Sequence, residues 1–137
     1  MTDVAYAEEP GLSVDDYVSV LANTTMRTKR PLENRQRIGE MLAGANLIVT
    51  ARRNGEIAGL ARCITDHAWI CYCAELAVRE SAQGLGIGAG IIRTLNELLG
   101  PRIGLALFSE PDALGFYEKA GLTRLDSGFF RTRADRS

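Results

Sequence analysis

The sequence Gln-Gly-Leu-Gly-Ile-Gly-Ala-Gly occupies residues 83–90 and places four of the chain's 14 glycines within seven positions. An apolar run precedes it and an amphipathic run follows it, which predicts a glycine-rich loop between a strand and a helix. Because glycine has no Cβ, such a loop can turn tightly and leave backbone N–H groups free where the helix begins. The helix dipole favours an anion there. The loop therefore predicts a site for a phosphorylated ligand.

The segments before the loop predict an antiparallel meander. Leu47–Arg53 and Glu56–Thr65 have the composition of strands, and the Asn54-Gly55 pair between them is the strongest short-range signal for a hairpin. Residues 68–78 continue as a third apolar strand, and residues 4–6 form a short strand near the start of the chain.

Four helices are predicted from apolar residues at helical spacing. They are expected over residues 13–23, between Pro31 and Gly44, from the glycine loop to Gly100, and over residues 111–121. A buried strand is expected at residues 103–108. The last helix is expected to bury Ala113, Leu114, Phe116 and Tyr117, and one or two closing strands are expected through Leu125, Phe129 and Phe130.

Composition limits what the chain can be. With 137 residues and 46% hydrophobic content, it can bury a core without disulfides or metal, and we expect residues 1–137 to form a single domain. A net charge of −1 predicts no binding to nucleic acid or to an acidic membrane surface. No apolar stretch reaches the roughly 18 to 20 residues that span a bilayer, so a cytoplasmic protein is expected. The basic residues within 27–37, and Arg131, Arg133 and Arg136, are interpreted as solvated surface.

Cysteine and histidine offer little for metal chemistry. The three cysteines, Cys63, Cys71 and Cys73, lie inside apolar runs and are interpreted as reduced packing residues. His67 is the only histidine, so neither a zinc site nor a serine triad is predicted.

The glycine loop alone leaves other cofactor folds open. Gly84-x-Gly86-x-x-Ala89 also fits a loose dinucleotide-binding fingerprint, with Glu110 at about the distance of a ribose-binding acid. Against it, the loop follows an antiparallel meander, and too few residues remain to complete a nucleotide-binding sheet. A plain flexible turn is disfavoured because each glycine in a helix start costs roughly 0.5 to 1 kcal/mol relative to alanine.

A second motif is Ala113-Leu114-Gly115-Phe116-Tyr117-Glu118-Lys119-Ala120-Gly121-Leu122. In order and spacing with Leu76-Ala77-Val78 and the glycine loop, it resembles the GNAT superfamily of acyl-CoA-dependent N-acetyltransferases. The resemblance covers residues 47–125 closely and the N-terminal helices more loosely. It implies an α/β (α+β) fold with a mixed, mostly antiparallel central sheet of six to seven strands. About four helices and a V-shaped splay between the middle strands complete the expected fold.

The resemblance also implies acetyl-CoA as co-substrate, an amine acceptor and no metal, and it allows a homodimer. The loop amides would hold the diphosphate, and the main chain at Leu76 and Val78 would pair with the pantetheine arm. The cofactor-binding residues implied are Leu76, Ala77, Val78, Gln83, Gly84, Leu85, Gly86, Ile87, Gly88, Ala89 and Tyr117.

Two side chains are candidates for catalysis. By resemblance, Tyr117 protonates the departing thiolate, and an N–H near Val78 stabilises the developing oxyanion. By strand alternation, Glu75 is expected to share a face with Cys73 and Ala77. Three roles are open for it: a catalytic base, a contact for a cationic substrate, or a carboxylate paired with an arginine. Glu110 stands where many family members have an asparagine that contacts CoA.

The acceptor is less defined than the donor. By resemblance, residues 24–32 cover the acceptor site. The charges of this segment are positive, which suits an acceptor with a carboxylate or phosphate, whereas Glu75 suits an amine. Three hypotheses follow. The first is an enzyme that acetylates a primary amine of a small molecule, or a peptide or protein amine, by direct attack on acetyl-CoA. The others are a non-catalytic acyl-CoA-binding module and a small Rossmann-like nucleotide binder.

Overall fold

A computed structural model describes residues 3–137 and contains one five-stranded sheet in the order β1-β2-β3-β4-β5. The first three pairs of neighbouring strands are antiparallel, and β4 and β5 are parallel. The strands are β1 (Val4–Glu8), β2 (Leu47–Arg53), β3 (Glu56–Thr65), β4 (Ile70–Val78) and β5 (Gly104–Leu107). The helices are α1 (Val14–Leu21), α2 (Arg35–Gly44), α3 (Ile87–Leu99) and α4 (Leu114–Lys119), with short 3-10 turns at Thr25–Thr28, Glu80–Ala82 and Pro111–Ala113.

The hairpin between β2 and β3 has the predicted boundaries. Asn54 and Gly55 connect the strands with φ angles of 53° and 81°. Positive φ at both residues of a two-residue turn matches the right-handed twist of the flanking strands, which is why Asn-Gly is favoured there.

Helices cover both faces of the sheet. On one face, α3 packs over a core that includes Ile87, Ile91 and Leu95. On the other, α1 and α2 supply Tyr17, Leu21 and Ile38 to a second core cluster. Within residues 3–137, no helix combines the length and the apolar character needed to cross a membrane.

A β-bulge at Ala74 divides β4 into two halves. Arg62 of β3 lies opposite Glu75, but the next residue, Cys63, lies opposite Cys73, so Ala74 is the extra residue of the bulge. Cys73 therefore packs on the α3 side, whereas Ala77 packs on the side of α1 and α2. The expectation that Glu75 shares a face with both is wrong for Cys73, because the bulge shifts the alternation by one residue.

The parallel pair opens beside this bulge. Gly104–Leu107 of β5 pairs only with residues 70–73 of β4, while β4 continues to Val78 without a partner on that side. The main chain of β4 is therefore available in the gap. The predicted splay is present, but it lies between the last two strands of the sheet and not between the middle strands.

The prediction of six to seven strands is wrong, since the sheet has five. Residues 122–137 contain no helix or strand, and Leu125, Phe129 and Phe130 are 76%, 95% and 59% exposed. Since these three large apolar residues are exposed, the stretch adds no further strand to the sheet. Because no closing strand follows it, β5 lies at the edge of the sheet. Its residues are exposed or half-buried, not buried as predicted. Nor does α4 bury any residue completely.

Candidate active site

A cavity of about 1020 Å³ lies at the gap between β4 and β5. Its walls are β4, the glycine loop, the end of β5, α4, residues 24–31 and part of the C-terminal segment 122–137, which we call the tail. Ten predicted cofactor residues line it, as does Glu75, and Leu85 is the exception. Leu85 is 56% exposed to solvent. The ten are Leu76, Ala77, Val78, Gln83, Gly84, Gly86, Ile87, Gly88, Ala89 and Tyr117.

The start of α3 offers free N–H groups to this cavity. Gly86 precedes the helix with φ 78°. It has no side chain that could accept a hydrogen bond from the first N–H groups of the helix. The first intrahelical bond runs from the N–H of Gly90 to the carbonyl of Gly86, at 3.0 Å. The N–H groups of Ile87, Gly88 and Ala89 thus have no intrahelical acceptor, and these residues line the cavity. A helix start of this kind binds anions such as phosphate.

The four glycines of the loop serve two purposes. Gly84 and Gly86 adopt φ angles of 83° and 78°, which residues with a Cβ rarely adopt. Gly88 and Gly90 instead allow close packing: a Cβ would lie 2.9 Å from the Phe116 ring at Gly88 and 2.2 Å from the Tyr6 ring at Gly90. Only half of the glycines are therefore explained by the conformation of the loop.

The open edge of β4 presents its main chain to the cavity. Arg79 donates its N–H to the carbonyl of Ala58 on β3, so the alternate residues Leu76 and Val78 direct their N–H and C=O groups toward the gap. Gln83 Nε2 donates to the Val78 carbonyl at 3.0 Å, which leaves the Val78 N–H as the free donor of that residue.

Tyr117 of α4 also faces the cavity and is half-buried. Burial, together with the negative charges on Cys73 and Glu110 in their ionised forms, raises the pKa of Tyr117 to about 12. The phenol is therefore protonated at neutral pH and can donate a proton.

Glu75 is 3% exposed, and both of its carboxylate oxygens are occupied. Arg62 binds both oxygens, with Nη2 2.9 Å from Oε2. Arg30 Nε donates to Oε2 and the Tyr17 hydroxyl donates to Oε1, each at 2.9 Å. Burial alone would raise the pKa of Glu75, but the hydrogen bonds and positive charges of the two arginines outweigh it, and the pKa lies below its ordinary value.

Residues 24–31 form the roof of the cavity, and charged side chains attach this roof to the cavity walls. Lys29 pairs with Glu110, the residue at the expected asparagine position. Arg30 Nη2 donates to the Ala74 carbonyl at 2.8 Å, which satisfies the carbonyl of the bulged residue. Glu110 therefore contacts the roof segment.

The sequence interpretation missed several cavity residues. Arg133 and Arg136, which we interpreted as solvated surface, line the cavity together with Arg37, Arg62, Tyr72 and Phe130. The tail is held there because Phe130 packs against Phe108 at 5.8 Å between ring centroids and Arg136 donates to the Thr28 carbonyl. The concentration of basic residues was the only sequence signal, and nothing in it indicated this path of the tail.

A search for known families returns a match to the acetyltransferase (GNAT) domain over residues 15–133. The chain belongs to the GNAT family of acetyltransferases. The matched range includes the glycine loop, the open edge of β4 and Tyr117.

Individual GNAT relatives agree with this assignment. An N-acetyltransferase named ycf52 from Pyropia yezoensis, itself uncharacterized, is 28% identical over 106 residues, which cover 73% of this chain and 59% of that protein. The chain thus spans less than two thirds of this relative's length.

Solved structures show the same GNAT fold. A probable acetyltransferase of methicillin-resistant Staphylococcus aureus aligns with a TM-score of 0.79 at 20% identity, covering 96% of this chain and 99% of that one. The aminoglycoside N-acetyltransferase AAC(6')-Iy, solved in complex with CoA, aligns with a TM-score of 0.72 at 12% identity, covering 98% and 97%. The Rossmann-like alternative is wrong, because three of the four strand pairs are antiparallel.

Proposed function

We propose that this GNAT protein transfers an acetyl group from acetyl-CoA to the primary amine of a small molecule. The observation that carries the proposal is the convergence of three groups on one cavity: the free N–H groups that begin α3, the open main chain of β4 and the protonated Tyr117. Each corresponds to one requirement of acyl transfer from a phosphorylated carrier.

The residues fit acetyl-CoA. The N–H groups of Ile87, Gly88 and Ala89 would hold its diphosphate, and the Leu76 and Val78 main chain would hold its extended arm. When bound, acetyl-CoA supplies an acetyl group activated as a thioester. A cavity of about 1020 Å³ has room for the reactive end of this molecule and an acceptor together.

The transfer needs one proton donated and one removed. The amine nitrogen forms a bond to the acetyl carbon, the carbon–sulfur bond breaks, and Tyr117 gives its proton to the sulfur. The Val78 N–H is placed to stabilise negative charge on the acetyl oxygen. The amine's own proton leaves to water, because both oxygens of the Glu75 carboxylate already accept hydrogen bonds.

Glu75 is accordingly proposed as a positioning residue. Its partners Arg30, Arg62 and Tyr17 come from the roof, β3 and α1, so the carboxylate joins the roof to β3 and α1. It holds Arg30 where that residue supports the bulged Ala74.

Two measurements test the function. Binding of acetyl-CoA, CoA and NAD is compared by thermal shift, and release of free CoA thiol is followed with a broad panel of primary amines. We expect stabilisation by acetyl-CoA and CoA and acetylation of at least one amine. Stabilisation without turnover on any amine would favour the non-catalytic module, and no stabilisation by either CoA species would refute the proposal.

A further inference from the structure

The acceptor end of the cavity is positively charged. Six basic side chains line the cavity, Lys29, Arg30, Arg37, Arg62, Arg133 and Arg136, against three acidic ones, Glu75, Glu110 and Asp112. Since the chain as a whole carries a net charge of −1, this excess is local. It concentrates where the roof, α2 and the tail meet.

Three of these arginines form no ion pair with a carboxylate side chain in residues 3–137. Arg37 donates to the carbonyls of Asp135 and Ser137, Arg136 donates to the Thr28 carbonyl, and Arg133 lies 5.8 Å from the centre of the Phe130 ring. The first two contacts hold the tail against α2 and the roof, so Arg37 and Arg136 lie at the same end of the cavity. The charge of Arg37 is partly offset, because Arg37 lies close enough to the Asp135 carboxyl to lower its pKa. A neutral carbonyl and an aromatic ring leave the charges of Arg136 and Arg133 uncompensated.

Two of the three carboxylates of the cavity are paired with other cations, and the third, Asp112, leaves the cavity with an excess of positive charge. Glu75 is shared between Arg30 and Arg62, and Glu110 is paired with Lys29. A substrate ammonium group would therefore meet a positively charged environment. A carboxylate or phosphate group would find guanidinium groups, which bind such anions with two hydrogen bonds each.

Resting on the proposed function, we infer that the acceptor is an amine that also carries an anionic group, a carboxylate or a phosphate, bound by Arg133 and Arg136. The same charges assist the chemistry. Cations near an amine lower its pKa and increase the fraction in the neutral, nucleophilic form. Binding of the anion and deprotonation of the amine thus depend on one cluster, without a carboxylate base.

The test compares amines that differ only in the anionic group. Phosphoethanolamine is measured against ethanolamine, and phenylalanine against phenethylamine, with acetyl-CoA saturating and CoA thiol release as the readout. The two pairs distinguish a phosphate from a carboxylate. We expect kcat/KM for an anionic member to exceed that of its partner without the anionic group by at least about tenfold, and this preference to weaken as salt is raised.

The variant R133Q/R136Q identifies the residues. It should raise KM for the preferred anionic amine about tenfold or more with kcat changed little, and leave KM for the partner without the anionic group unaltered. R131Q removes a neighbouring, exposed arginine that does not line the cavity, and it should match the wild type. A positioning role in folding alone would instead change both members of a pair equally.

The outcomes separate this inference from the proposed function. Equal or better turnover of the members without an anionic group, or no effect of R133Q/R136Q, overturns the anionic acceptor and leaves acetyl transfer standing. If neither pair is acetylated, calorimetric titration of phosphoethanolamine and phenylalanine into the CoA complex decides. Binding that R133Q/R136Q weakens supports the inference, and no binding of either overturns it. Failure to bind CoA overturns the proposed function itself.

Discussion

At the scale of single residues, Tyr117 has the most direct test. Tyr117→Phe removes the proton donor but keeps the ring and its contact with Phe116, whose centroid is 5.0 Å away. We expect kcat to fall about 100-fold, in the range of general acid catalysis, with KM for acetyl-CoA unchanged. Because burial raises the pKa of Tyr117 to about 12, wild-type activity should not decline on the alkaline side until the pH approaches that value.

Steady-state kinetics from pH 6 to 11 measure both effects. Tyr6→Phe is the matched control, since Tyr6 packs beside Gly90 outside the cavity and should retain full activity. An unchanged kcat in Tyr117→Phe would remove this hydroxyl from the mechanism.

Glu75 makes a prediction about stability. Glu75→Gln leaves Arg62 buried without its counter-charge, and breaking such a pair costs about 3 to 5 kcal/mol in free energy of unfolding. The native pKa of Glu75 lies below its ordinary 4.5. Its contribution is therefore complete above the unfolded-state pKa and is lost as the pH falls below 4.5 through the native pKa.

Urea denaturation at pH 7 and at several pH values between 5 and 3 checks the direction of this pH dependence. The difference in stability between wild type and Glu75→Gln should shrink as the pH falls. Glu80→Gln, at an exposed position in the turn after β4, provides a control that should change stability by less than about 0.5 kcal/mol. A variant as stable as wild type at pH 7 would contradict the positioning role.

At the scale of elements, the contact between α3 and α4 depends on Gly88. A Cβ there would lie 2.9 Å from the Phe116 ring, so Gly88→Ala must displace that ring, which lies next to Tyr117 in α4. We expect a loss of about 1 to 3 kcal/mol in stability and a higher KM for acetyl-CoA. Gly115→Ala in α4, where no atom lies within 4 Å of the added Cβ, should instead gain about 0.5 to 1 kcal/mol.

Chemical denaturation and kinetics of the two alanine variants provide the comparison. Similar behaviour of Gly88→Ala and Gly115→Ala would mean that α4 adjusts freely, contrary to the close packing.

The same scale shows what the sequence determines. The sequence predicts both strands of the β2–β3 hairpin with their observed boundaries, because Asn54 and Gly55 tolerate the positive φ that the turn requires. The bulge in β4 was not predicted, since Ala74 has no turn chemistry and the bulge depends on pairing with β3. Local conformational preferences are visible in sequence, but the register of distant strands is not.

At the scale of the whole molecule, the tail links the fold to specificity. Residues 123–137 are all exposed, so deleting residues 128–137 removes no part of either core. We expect the truncated chain to lose about 1 kcal/mol or less, chiefly the contact of Phe130 with Phe108, and to bind CoA as the wild type does. Its KM for an anionic amine should rise at least about tenfold, because Arg133 and Arg136 are absent.

Thermal unfolding, CoA titration and acceptor kinetics of the truncated chain check these three expectations. Unchanged acceptor kinetics would show that the tail does not take part in substrate binding.

The candidate site was predictable to different degrees at its two ends. The loop, Leu76, Val78 and Tyr117 form contiguous motifs, so sequence located the end proposed for acetyl-CoA. Arg37, Arg133 and Arg136 come together only because an irregular tail crosses the cavity, and irregular segments without periodic apolar residues leave no pattern to read.

The bulge at Ala74 makes spacing more restrictive than residue identity at this point of β4. Deleting Ala74 would leave Cys73 opposite Cys63 and Glu75 opposite Arg62, so the strand would become regular and no side chain would change face. The deletion would remove the carbonyl to which Arg30 donates, and with it one attachment of the roof to β4. A substitution at residue 74 keeps that carbonyl, so sequences that preserve this site should vary in composition here but not in spacing.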